Sequence, residues 1–97
     1  MKIVISQPMQ GLTHEQIKAN RAATVTYLTS IGHEIVDTFI ADETPTGNHA
    51  LDCLGKSLQI IAQVDAVYFM PGWQQARGCW LEFEACKRYG IKTLESE

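Results

Sequence analysis

The segment that most restricts the possible folds of this chain is Ala66-Val67-Tyr68-Phe69-Met70, five consecutive apolar residues opened by Asp65 and stopped by Pro71-Gly72. Branched and aromatic residues between such breakers mark a strand, and a run without polar alternation marks one covered on both faces. Residues 2–6, with Ile3, Val4 and Ile5 in sequence, form a second run of this kind. Strands covered on both faces belong to parallel sheets, whose neighbours must be joined by crossovers long enough to hold helices. The intervening sequence supplies them. Thr13 with Gln16 three residues on is a capping box, and a helix to about residue 30 places Ile17, Arg21, Val25 and Leu28 on one stripe before Gly32 ends it. Leu51, Leu54, Leu58 and Ile61 recur at spacings of three and four, so residues 50–63 read as a second helix despite Gly55. A third runs from about Gly78 to Tyr89, stopped by Gly90, while residues 33–37 and 91–94 supply two further short strands. The order β-α-β-α-β-α-β implies an α/β domain with a parallel sheet of about four strands, right-handed crossovers and helices on both faces.

With 97 residues the chain has material for one domain, over residues 1–97. Apolar residues at 45% and charged residues at 20% exclude disorder and coiled coil. No apolar run approaches the roughly 18 residues of a membrane span, and the start is strand-like rather than a signal peptide, so no membrane partner and a cytoplasmic location are expected. Eight Lys and Arg against eleven Asp and Glu leave a net charge of −3 with no basic stripe, which argues against duplex nucleic acid as a partner. Cys53, Cys79 and Cys86 lack C-x-x-C spacing. On one helix Cys79 and Cys86 stand about 10 Å apart, too far for a disulfide, so they read as buried thiols. His14, His33 and His49 have no metal-ligand spacing, and neither a metal nor another cofactor is expected.

In such sheets ligands bind beyond the carboxyl ends of the strands. Three segments are expected to share that rim: residues 6–12, the polar stretch 38–48 as a candidate lid, and residues 71–82. The rim is expected to carry Ser6, Gln7, Pro8 and Met9 in the first turn, Asp65 at a strand start, and Glu82 early in the third helix. Glu82 and Glu84 lie about 200° apart on a helix, so only one can face a pocket, and spacing does not say which. Trp73 reads either as a core cap or as a face for a flat heterocycle, and Arg77 either as a solvated cation or as a phosphate partner.

The set Lys2-Ile3-Val4-Ile5-Ser6-Gln7-Pro8-Met9 with Gly11-Leu12, then Asp65-Ala66-Val67-Tyr68-Phe69 with Pro71-Gly72-Trp73 and Arg77-Gly78-x-x-x-Glu82, resembles the nucleoside 2-deoxyribosyltransferase-like superfamily, in particular its short phage- or prophage-borne members. The resemblance spans essentially the whole chain. It implies a small Rossmann-like or flavodoxin-like three-layer domain that pairs into homodimers or higher oligomers, with sites completed between subunits. It also implies cleavage or transfer at the N-glycosidic bond of a nucleoside or nucleoside monophosphate. The nucleophile of those enzymes, a glutamate four residues after a glycine, maps to Glu82, which separates it from Glu84. Ser6, Gln7, Pro8 and Met9 then line the sugar and phosphate end, with Gln7 where many relatives have Gly. Gly72, Trp73, Arg77 and Gly78 complete the ligand-binding set.

The resemblance also implies a second acid eight residues before Asp65, where this chain has Ser57. A hydroxyl hydrogen-bonds a ligand but does not serve as a carboxyl acid or base, and losing such a group costs about 10²–10⁴ in rate. Asp42, Glu43 and Asp52 are the acids available to replace it. Two readings follow. In one, the pocket binds and sequesters a nucleoside- or nucleotide-derived small molecule, as a phage-type sponge for a nucleotide signal used in host defence. In the other, an N-glycosidase or deoxyribosyltransferase uses Glu82, assisted by Asp65.

Overall fold

The computed structural model describes residues 1–8, 11–36 and 48–95, the side chains of His14 and His49 excepted. Four strands, β1 (Lys2–Ser6), β2 (Glu34–Val36), β3 (Ala66–Phe69) and β4 (Lys92–Glu95), form one sheet in the order β2-β1-β3-β4. All three pairings are parallel, with Ser6 opposite Phe69 and Phe69 opposite Glu95. The helices are α1 (His14–Ser30), α2 (His49–Ile61) and α3 (Arg77–Tyr89), and a 3-10 turn (Trp73–Gln75) precedes α3. No described helix is long and apolar enough to cross a membrane.

Local chemistry accounts for these elements. Thr13 accepts from the Gln16 backbone N–H and Gln16 reaches back to the Thr13 N–H, the reciprocal pair that starts α1. Gly32, at φ +96°, ends the same helix: its N–H donates to Thr29, and that of His33 to Leu28, two bonds that need a left-handed residue between them. The expected element order holds, with shifts of one or two residues at several ends. β2 begins at Glu34 instead of His33, β4 begins at Lys92 instead of Ile91, and α3 opens at Arg77 instead of Gly78.

Side-chain alternation divides the strands between two apolar clusters. Ile3, Ile5, Ala66, Tyr68 and Met70 pack with Leu28 and Val25 of α1. Val4, Val67 and Phe69 pack on the other face with Ile61 and Leu58 of α2 and Cys79, Phe83 and Cys86 of α3. This three-layer arrangement follows from the strand order. From β1 the chain moves outward through α1 to β2, and from β3 it moves the opposite way through α3 to β4, so right-handed crossovers put α1 and α3 on opposite faces. The point where the connections diverge lies between the carboxyl ends of β1 and β3, where sheets of this order form their ligand crevice.

Candidate functional site

Ser6 ends β1 on the α2/α3 face, by the alternation that also places Val4 there, and is 3% exposed. Its hydroxyl donates to Oε1 of Glu82 at 3.1 Å, across 76 positions of sequence. Glu82 sits in the second turn of α3, on the stripe Cys79, Glu82, Cys86 that faces the sheet, and both thiols are buried. A carboxyl therefore occupies a position whose neighbours along the helix are core residues. Burial pushes it from the ordinary carboxylate value up to about 7, and the Ser6 hydrogen bond opposes that rise. The same burial pushes Cys79 up to about 11, against a hydrogen bond with Ser6 and reinforced by the nearby Glu82 charge. Cys86 is also pushed up to about 11, by burial first and Glu82 second. Glu84 points elsewhere: its Oε2 accepts from Nε of Arg88 at 3.2 Å, an exposed pair one turn apart.

The first turn contributes two further residues. Gln7 is 4% exposed and its Nε2 donates to the Ile17 carbonyl at 3.0 Å, tying the end of β1 to α1, while its Oε1 is buried with no hydrogen-bond partner among the described residues. Pro8 faces Gly72 across the crevice: a Cβ on Gly72 would lie 3.7 Å from Pro8 Cγ, an ordinary contact, so it is the φ of +88° that favours glycine there. Gly78 and the exposed Arg77 open α3, whose first turn contains no acid and whose N-cap, Ala76, makes no side-chain bond. Backbone N–H groups beside a guanidinium suit an anionic ligand group.

The structure brings Ser6, Gln7, Pro8, Gly72, Gly78 and Glu82 to one end of the sheet, with Arg77 at the margin. Trp73 lies there too, but it is 6% exposed and enclosed by aromatic rings, stacked on Phe83 at 4.4 Å and tilted against Phe69 at 5.3 Å. Its core reading is therefore the one its packing supports. Asp65 does not join the set, which corrects its expected place on the rim. A residue that opens a parallel strand lies at the amino edge, here four positions or about 13 Å from the edge that carries Ser6. There the Asp65 Oδ2 accepts from the Lys2 N–H at 2.8 Å. Ser57 is half-buried on α2, one turn before Ile61, and Asp52 is paired with Lys56 at 3.1 Å on the same helix. A shallow groove along α2, lined by Asn48, Leu51, Asp52, Gly55, Lys56 and Gln59, shares no residue with the Ser6–Glu82 pair. Met9, Asp42, Glu43 and the candidate lid up to Gly47 lie outside the described residues.

Cys79 and Cys86 are the neighbours of the site that the sequence reading left in the core. The signal was present in their spacing: positions 79, 82 and 86 form one helical stripe, so buried cysteines on either side place Glu82 against the sheet. Among the described residues no group of three or more His, Cys, Asp or Glu side chains is arranged to hold a metal ion.

The profile of the family described as Domain of unknown function (DUF4406) matches residues 1–95, and the chain belongs to that family. No curated protein matches it.

Proposed function

We propose that this chain binds a nucleoside- or nucleotide-derived small molecule in the crevice between the carboxyl ends of β1 and β3, and that it sequesters the ligand rather than turning it over. The observation that carries this reading is the part-buried Ser6–Glu82 hydrogen bond at the switch point of the sheet. It supplies one carboxyl at the place where such folds hold ligands. The ligand class comes from the resemblance of the strand-one turn and the Gly78-to-Glu82 spacing to the nucleoside 2-deoxyribosyltransferase-like superfamily. The α3 N-terminus with Arg77 suits a phosphate, if the ligand bears one.

Sequestration is favoured because none of the described acids stands where the resemblance implies a second catalytic carboxyl. Ser57 stands in its place, Asp65 is at the far edge of the sheet, and Asp52 is held by Lys56. A carboxyl held near 7 is also about half protonated at neutrality, which blunts it as a nucleophile. A retaining N-glycosidase is the second reading, supported by the delivery of Glu82 into the crevice beside a hydroxyl. The resemblance further supports self-association, with exposed Trp80 and Leu81 on α3 as apolar surface for a second copy.

The test is to mix protein in excess with a panel of nucleosides, nucleoside monophosphates, cyclic nucleotides and ADP-ribose-type compounds, and to chromatograph the filtrate before and after heating. Ligand lost from the filtrate and recovered intact after denaturation is the expected result. Free base released before heating, and abolished in Glu82→Gln, would instead establish the glycosidase.

A further inference from the structure

Among the described side chains none supplies Glu82 with a counter-charge. Its hydrogen-bond partner is the neutral Ser6 hydroxyl, and the titratable groups beside it on α3, Cys79 and Cys86, are thiols that stay protonated near neutrality. None of the described Lys and Arg side chains pairs with it, and no charged group of β1, β3, β4 or α2 is hydrogen-bonded to it. Residues 9–10, 37–47 and 96–97 contain no Lys, Arg or His and carry Asp37, Asp42, Glu43 and Glu97, which leaves His14 and His49 as the basic side chains outside the described ones. A carboxylate partly withdrawn from water is costly unless paired, and one left in neutral surroundings pairs best with a ligand that brings the positive charge itself.

Resting on the reading of this crevice as a nucleoside or nucleotide site, we infer that it prefers ligands whose ring carries a fixed positive charge, the pyridinium N-glycosides, with Glu82 as their counter-ion. A neutral nucleoside offers only a hydrogen-bond donor to this carboxyl. A pyridinium ring offers an opposite charge to a partly buried carboxyl, where such a pair is worth more than at the open surface. Binding then draws Glu82 into its ionised form and releases its proton.

The discriminating probes are nicotinamide mononucleotide and its 1,4-dihydro form, nearly equal in shape and phosphate but different in ring charge, together with uncharged-ring nucleosides and monophosphates. The expected result in calorimetry is at least tenfold tighter binding of the oxidised form. About half a proton should be released per ligand at pH 7, read from the dependence of the heat on buffer ionisation. In Glu82→Gln, with folding checked by circular dichroism, the two forms should bind alike and no proton should be released. Equal binding of both forms by the unaltered protein overturns the inference. So does a preference for neutral nucleosides over the pyridinium form, and in both cases the nucleoside reading stands. Failure of every nucleoside and nucleotide in the panel to bind overturns that reading as well.

Discussion

Glu82 shows how one residue links stability to pH. Its proton is held to about 7 in the folded state by burial, whereas the unfolded chain releases it near 4.5. Between these values the folded state binds more protons than the unfolded one, so stability falls as pH rises through that window and is restored toward acid. A difference of that size corresponds to about 3 kcal/mol at most. Glu82→Gln removes the term: urea unfolding at pH 5 and pH 8 should show the unaltered protein losing stability relative to the variant, by up to about 3 kcal/mol. A pH-independent difference between the two would disprove the linkage. Ser6→Ala should act in the other direction on the same group, raising the carboxyl above about 7 because the one hydrogen bond that lowers it is gone, and carboxyl-detected NMR titration reads this directly. Much of this was legible in the sequence. Glu82 was separated from Glu84 by resemblance, but the Cys79-x-x-Glu82-x-x-x-Cys86 stripe separates them by geometry alone once both thiols are taken as buried. The core packing of Trp73 was not legible, because an aromatic in a loop gives no periodic pattern from which its neighbours can be read.

At the scale of elements, α1 carries both a start and a stop, α2 a start at Asn48, whose side chain accepts from the Leu51 N–H, and α3 a stop at Gly90, and these signals locate the helices to within two residues. The capping box of α1 satisfies backbone donors at both ends of a four-residue span, and Thr13→Ala should cost about 1 kcal/mol, within a range of about 0.5–2. Denaturant midpoints at unchanged slope measure it, and a value indistinguishable from zero would mean that water replaces the cap. The end of α2 was less legible than those of α1 and α3, since Ala62 closes it in a right-handed conformation with no glycine to mark the stop. The 3-10 turn at Trp73–Gln75 was missed because three residues are too few to show a period.

At the scale of the molecule, the sequence indicated a parallel sheet but not its strand order, because a local apolar pattern is the same whichever strand lies alongside. The order decides which residues meet: it sets Ser6 beside Phe69 at the crevice and leaves Asp65 against Lys2 at the opposite edge. It also makes the fold a single unit for energetics, since both apolar clusters rest on the same strands. For a domain of this size about 1 kcal/mol of stabilisation moves the melting temperature by about 4–8 °C. A ligand bound only by the folded state contributes about 2.7 kcal/mol at a hundred times its dissociation constant. A sequestered nucleotide should therefore raise the melting temperature by more than about 10 °C under saturating conditions, and the shift should persist on prolonged incubation because the ligand is not consumed. Under the glycosidase reading the same shift decays as substrate is cleaved. A panel that produces no shift with the unaltered protein would argue that the crevice between β1 and β3 holds no small molecule of this class.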